Sequence, residues 1–309
     1  MRTRRIGTLE VSTIGLGCNN FGGRIDFDRS AAVVSAALDN GITFVDTADI
    51  YGGTKSEEFL GRALGRRRDD VVVATKFGMK VDEDRHGAKP DYVRRALEDS
   101  LRRLGTDRID LYILHAPDAE TPIGDTLGAL DDCVKAGKVR EIGCSNFSAE
   151  QLRQADAAVA DGAARFVSVQ NEYSLVQRQP EREVLPECRR AGLGFVPYFP
   201  LASGLLTGKY RRGEPPPPGG RLSGMPAEHY AALDERLAVV EDLAAFAGER
   251  GHTLLELAMS WLLARPEVAS VIAGATTPEQ VAANATAGDW LLDADQLAEI
   301  DQLAPPPAP

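Results

Sequence analysis

Residues 71–77, Val71-Val72-Val73-Ala74-Thr75-Lys76-Phe77, form an apolar run of strand length that ends on a lysine. A strand with one wet face shows a polar residue at every second place. A run that is apolar on both faces suits a parallel strand covered by helices on either side. Stretches of helical period flank it, at 56–64 before and 91–104 after. The same unit recurs along the chain. Strand-like runs are read at 14–18, 43–47, 71–77, 109–115, 139–145, 166–170, 194–199 and 269–273, with amphipathic stretches such as 29–40 and 181–191 between them. Eight β-then-α units predict the α/β class and a closed (β/α)8 TIM barrel, a single domain over 1–309, with an N-terminal hairpin ahead of the barrel. An open doubly wound sheet is the main rival. It requires a GxGxxG phosphate loop after its first strand, and Gly15-Leu16-Gly17-Cys18-Asn19-Asn20 lacks the third glycine.

Local signals agree with these units. Pro90 stands where a first helical residue is expected, and Ser148-Ala149-Glu150-Gln151 reads as a capping box. The rhythm breaks once, after the seventh strand, at 211–224. Pro215 to Pro218 and Gly219-Gly220 there exclude helix and central strand and predict a long mobile loop. The segment from Pro226 onward offers helices and one strand, too little for a second sheet domain. The end, 304–309, reads as a flexible tail.

The 309 residues carry 35 Lys plus Arg against 46 Asp plus Glu, a net charge of −11. An acidic surface repels nucleic-acid phosphates and anionic lipid, so neither is an expected partner. Cys18, Cys133, Cys144 and Cys188 are scattered, without a CxxC pair or zinc spacing, which suits reduced thiols and predicts no metal site. Cys144 reads as a small residue inside the barrel. The basic start Met1-Arg2-Thr3-Arg4-Arg5 is not followed by an apolar leader, and no run approaches the roughly 18 apolar residues of a membrane span. The expectation is a cytoplasmic protein whose oligomeric state the sequence leaves open.

In such a barrel the chemistry lies at the C-terminal ends of the strands. The second strand ends in Asp46, with Tyr51 just beyond; the third ends in Lys76, and the fourth in His115. A free phenol has a pKa of about 10, too high for efficient proton delivery near neutrality. A neighbouring ammonium favours phenolate and lowers that value, and an aspartate paired with the lysine keeps it charged. A histidine can bond the same carbonyl oxygen. A lysine at a strand end also has another reading, as a Schiff-base nucleophile. The paired Asp46 argues against it by keeping the amine protonated.

The four groups in their order, together with the motifs from GLGCNNFG to GATTPEQVAAN, resemble the aldo-keto reductase family over nearly the whole chain. The branch they most resemble is the bacterial one that includes potassium-channel β-subunit-like members. The resemblance implies metal-free hydride transfer from NAD(P)H to a small carbonyl substrate. It gives Tyr51 as general acid, Lys76 as its partner, Asp46 as the anchor of Lys76 and His115 as the donor that orients the carbonyl. It also implies cofactor contacts at Gly17, Cys18, Asn19, Ser145, Asn146 and Gln170. Tyr198 matches the ring that stacks on nicotinamide, followed by Phe199, Leu201, Ser203, Gly204, Leu205 and Lys209 along the pyrophosphate. Gly274, Thr276, Gln280 and Asn284 match the adenosine end. There, a Thr N-cap with Pro278 at the first helical position makes a helix start suited to an anion.

One departure bears on the cofactor. Thr276 and Thr277 stand where relatives often place Arg or Lys for the 2′-phosphate of NADP. NADP(H) is favoured on family habit, with NAD(H) left open. A cofactor-binding regulatory or redox-sensing subunit with little turnover is the alternative function that the channel-like resemblance permits. Substrate choice is expected in the loops 19–25, 78–89, 171–179 and 211–224, with Phe21, Tyr173 and Phe199 as aromatic surfaces.

Overall fold

The computed structural model describes residues 1–307. The chain opens with an antiparallel hairpin, β1 (Thr3–Ile6) and β2 (Leu9–Ser12), which turns through Gly7 at φ +55°. Eight parallel strands follow: β3 (Ile14–Gly17), β4 (Phe44–Asp46), β5 (Val72–Phe77), β6 (Ile109–Leu114), β7 (Val139–Ser145), β8 (Phe166–Gln170), β9 (Gly194–Phe195) and β10 (Val271–Gly274). Neighbours in sequence are neighbours in the sheet, and β10 pairs with β3 in register Val271↔Ile14 to Gly274↔Gly17. The ring closes at Phe195. Its N–H donates to Glu267 O at 2.8 Å, and its carbonyl accepts from Ala269 N at 2.8 Å. The (β/α)8 barrel is therefore complete, as the repeat of units predicts.

The helices cover the outside: α1 (Phe27–Asp39), α2 (Lys55–Leu64), α3 (Pro90–Leu104), α4 (Ile123–Lys135), α5 (Ala149–Ala157) and α6 (Val184–Ala191) in the first six gaps. After β9 come α7 (Ala227–Ala231), α8 (Asp234–Glu249) and α9 (Leu254–Leu263); after β10, α10 (Pro278–Thr286) and α11 (Ala294–Leu303). Their ends obey local chemistry. Pro90 is the first residue of α3, and Ser148, Thr253 and Asp293 each close a capping box at the start of a helix. On α2, a Cβ at Gly61 would stand 2.2 Å from the Leu104 carbonyl, so only glycine lets α2 and α3 meet there.

Two apolar layers hold the barrel. Inside it, Phe44, Ala74, Leu111, Ile113, Val196 and Ile272 pack on Ile6, Leu9 and Val11 of the hairpin, which plugs the end opposite the strand C-termini. Outside, the other faces of the strands meet the helices in one continuous core. Each Leu, Ile, Val or Phe fully buried there contributes roughly 1.5–3 kcal/mol. Cys144 belongs to this outer layer beside Cys188 of α6, not to the interior as expected. Trp261 is buried in the same layer, while Trp290 stacks on His252 at 4.0 Å.

Two strands differ from expectation. The seventh, expected over 194–199, is regular only at Gly194–Phe195. Pro197 has no N–H to give, so the ladder thins there, although Val196 N still reaches Val169 O and Tyr198 N reaches Asn171 O. The eighth begins at Val271 because 267–269 forms the seam with Phe195. The proline-rich stretch 211–224 contains neither helix nor strand. It hangs on buried Tyr210, whose hydroxyl accepts from Leu222 N at 3.2 Å. Of the expected tail, Ala304 is buried with its carbonyl on Arg178, and residues 308 and 309 lie outside the described residues. Among the described residues, no helix is long and apolar enough to cross a membrane.

Candidate active site

A cavity of about 680 Å³ opens at the C-terminal ends of the strands. Asp46, Tyr51, Lys76 and His115 all line it, each delivered by a different local device. Asp46 and Lys76 are the inward residues near the ends of β4 and β5, both 2% exposed. His115 follows β6, its N–H fixed to Phe77 O at 2.8 Å. Tyr51 comes from the turn after β4, whose path needs Gly52: at φ +59° a Cβ there would lie 2.2 Å from the Phe21 carbonyl.

Lys76 Nζ is the hub. It donates to Asp46 Oδ1 at 2.5 Å, to Thr47 O at 2.9 Å and to the Tyr51 hydroxyl at 3.4 Å. Asp46 Oδ2 accepts from Gln170 Nε2 at 2.7 Å, so both carboxylate oxygens are engaged. The Tyr51 and His115 rings meet edge to face at 5.7 Å, and His115 Nδ1 is buried without a partner among the described residues.

The electrostatics sort these groups into clear states. Burial alone would lower the Lys76 ammonium. The Asp46 charge, with the hydrogen bonds to Asp46 and Tyr51, outweighs it and holds lysine above its ordinary value. Burial raises the Tyr51 phenol more than Lys76 lowers it. The sequence argument expected the net direction to be downward; burial of the phenol wins. Tyr51 is thus protonated at neutral pH and Lys76 is charged. His115 is pushed down to about 3 by burial and by Lys76, which keeps the imidazole neutral. The site can therefore offer a proton from a phenol next to a fixed cation, and a neutral ring beside it.

Of the residues expected to contact a cofactor, Gly17, Asn19, Ser145, Asn146, Gln170, Tyr198, Phe199, Leu201, Ser203, Gly204, Lys209, Gly274, Thr276, Gln280 and Asn284 line the same cavity. Cys18 and Leu205 do not. Both side chains are buried in the outer core, with Cys18 Sγ towards the Leu16 carbonyl. Asn146, at φ +64°, bridges the wall: its Nδ2 donates to His115 O at 2.9 Å and its Oδ1 accepts from the Tyr198 hydroxyl at 2.7 Å. Phe199, Ala202 and Ser203 also hold positive φ, at a cost of about 1–3 kcal/mol each. Thr277 caps α10, and Thr276 N and Oγ1 both donate to Gln280 Oε1.

Asn20, Arg24, Met79, Thr207, Arg221 and Leu255 also line the cavity without having been singled out in the sequence, although Asn20, Arg24, Met79 and Arg221 come from loops expected to shape it. Arg24 and Arg221 are the notable ones. Arg221 lies over the Phe199 ring at 5.4 Å, and burial together with Arg24 pulls its guanidinium below the usual arginine value. Arg24 is the single basic residue of the loop 19–25, whereas Arg221 is one of three arginines in 211–224, so charge alone did not single it out. Two expected substrate surfaces are corrected. Phe21 and Tyr173 are fully buried in the core, where Tyr173 packs on Phe195 and Trp261 and bonds Glu181; the loop 171–179 does not line the cavity.

Known proteins match this arrangement along almost its full length. The profile of the aldo/keto reductase family covers residues 13–305. An uncharacterised oxidoreductase of Bacillus subtilis, YrpG, is 36% identical over 97% of this chain and 94% of its own. A protein of Arabidopsis thaliana described as a probable voltage-gated potassium channel subunit beta is 35% identical over 96% of this chain and 93% of its own. The structure of a glycerol dehydrogenase from Gluconobacter oxydans superposes with a TM-score of 0.86 at 30% identity, covering 99% of this chain and 97% of that one.

Proposed function

Because the chain belongs to the aldo/keto reductase family, we propose that it reduces an aldehyde or ketone to the alcohol with NADP(H), and that Tyr51 is the general acid. The observation that carries this reading is the set of contacts at Lys76 Nζ, where one ammonium touches the Asp46 carboxylate, the Thr47 carbonyl and the Tyr51 hydroxyl. The nicotinamide, when bound, supplies the hydride to the carbonyl carbon. Tyr51 hands its proton to the developing alkoxide, and Lys76 stabilises the phenolate left behind. Asp46 keeps Lys76 charged and aimed. The neutral His115 orients the carbonyl oxygen. In this reading Lys76 is too firmly paired to act as a Schiff-base nucleophile.

The residues present suit a nicotinamide dinucleotide. Gln170 Oε1 and Asn20 Oδ1 are buried at the cavity without partners among the described residues, and a carboxamide or ribose donor would satisfy such atoms. Lys209, Arg24 and Arg221 supply positive charge along the wall. The phosphorylated cofactor is favoured by Arg29. From the first turn of α1 this arginine crosses to donate to Thr276 O at 3.3 Å, setting a guanidinium at the start of α10, where the loop after β10 has only threonines.

The test follows NADPH absorbance with an activated aromatic aldehyde, beside NADH and a Tyr51→Phe variant. Wild-type turnover with a loss of about 10²–10⁴-fold in the variant is expected. Equal rates in both proteins would end Tyr51's role. The likeness to the channel-subunit relative supports a second reading, a cofactor-bound subunit that reports redox state. Fluorescence quenching by NADPH without turnover on any aldehyde would select it.

A further inference from the structure

Behind the cavity floor lies a cluster of buried ionisable groups that the chemistry above does not use. Asp49 is three residues beyond Asp46 and two before Tyr51, and it is 3% exposed. Its Oδ1 has no hydrogen-bond partner among the described residues, and its Oδ2 accepts from the Tyr92 hydroxyl of α3 at 3.4 Å. Beside it stands a second acid, Glu57 of α2, fully buried. Glu57 has the strong partners: the Thr75 hydroxyl on β5 at 2.6 Å and Arg103 Nε on α3 at 2.6 Å. From β6 the buried Tyr112 phenol faces both acids. Two carboxyl groups thus share one arginine, and that arginine is bonded to Glu57.

The backbone ties Asp49 to the reacting groups. Its N–H donates to Lys76 O at 3.0 Å, and the Tyr51 N–H donates to Ala48 O at 3.2 Å. The Tyr51 carbonyl accepts from Ser56 N at the start of α2. The Asp49 side chain therefore hangs from the short segment that spans the distance between Lys76 and Tyr51.

Resting on the role given to Tyr51 above, we propose that Asp49 is a positioning residue: its neutral carboxylic acid holds the 47–51 segment under Tyr51, and its ionisation displaces the hydroxyl from Lys76. A carboxylate at this place has the backbone N–H of Ile50 and one long side-chain hydrogen bond to support it, and a second acid for a neighbour. Movement of the segment towards Arg103 or water relieves it. Burial, reinforced by Glu57 and opposed by Arg103, pushes the Asp49 carboxyl up to about 7. The change of state accordingly falls near neutrality, far below the ionisation of Tyr51 itself.

The experiment is the pH profile of kcat at saturating NADPH and aldehyde for the wild type, Asp49→Asn and Tyr92→Phe. The wild type should lose roughly tenfold from about pH 6 to about pH 8 along a one-proton limb. Asp49→Asn should be flat across that range. Tyr92→Phe removes a side-chain donor that favours the carboxylate, so its limb should shift to higher pH. This prediction stands even if Asp49→Asn does not fold. A limb retained in Asp49→Asn, a uniform loss at all pH values, or a limb unmoved in Tyr92→Phe would overturn the proposal. A wild type with no turnover would instead overturn the reductase reading, and Asp49's role with it.

Discussion

At the floor of the cavity, Asp46, Lys76 and Gln170 stand on strand ends, almost wholly buried and bonded to one another. At the rim, Arg24, Phe199 and Arg221 stand on loops, with water on one side and ring or guanidinium contacts on the other. The floor gets its precision from eight strands that cannot shift singly. The rim gets its shape from positive-φ residues at 199, 202 and 203 and from a proline-rich loop hung on Tyr210. Charges are handled differently too. Floor charges are paired and dry, so breaking a pair is costly; rim charges are half-solvated, so salt screens them.

That contrast can be broken by substitution. Lys76→Met should cost about 3–5 kcal/mol in urea unfolding, because it leaves the Asp46 carboxylate buried without its ammonium. An unchanged midpoint would mean that Gln170 alone supports the carboxylate, and the floor would be no tighter than the rim. Arg221→Ala should weaken NADPH binding by about tenfold in a fluorescence titration and flatten its salt dependence, with the unfolding midpoint in place. If stability fell instead, the rim arginine would be structural.

A third comparison is a pH slope. His115 has its folded pKa near 3 and the ordinary imidazole value when unfolded, so the unfolded chain takes up the extra proton. Stability from the neutral ring is whole above the unfolded value and declines as pH falls towards the folded one, by up to about 1.4 kcal/mol per unit. Asp49 has the opposite sign: its stability declines as pH rises from the ordinary carboxylate value to about 7. Between pH 5 and pH 7 the two slopes nearly cancel, so the wild-type melting temperature should be almost level, whereas His115→Asn, which keeps only the Asp49 slope, should melt higher as pH falls. A level profile in the variant as well would overturn this assignment.

Much of the floor was legible because it depends on periodicity. Apolar runs of strand length ending in Asp, Lys and His fix both the fold and the direction in which those residues point, and all four proposed reacting groups line one cavity. The rim was not legible in the same way. Arg24 and Arg29 lie far in sequence from Arg221, and all three reach the cavity or the start of α10 only through the folding of loops and the packing of α1 on α10. Tyr173 misled because a loop aromatic looks like a binding surface until Phe195 and Trp261 are seen packed against it. The direction of the Tyr51 shift was missed because desolvation depends on what surrounds a group, which residue spacing does not report.

The pairing of β3 with β10 has a consequence for synthesis. Residues 14–17 must wait for residues 271–274 before their outer edge is covered, and the hairpin plug rests on Ala269 and Ile272 as well. While the chain leaves the ribosome, the first barrel strand keeps an open edge for nearly the whole of translation. The β4–β8 units can assemble locally in the meantime, but the loop that finally joins the ends is about as long as the chain, and the entropy of closing it is met last. The nascent protein thus spends its synthesis as an unfinished ring, most in need of protection by chaperones just before its final strand emerges.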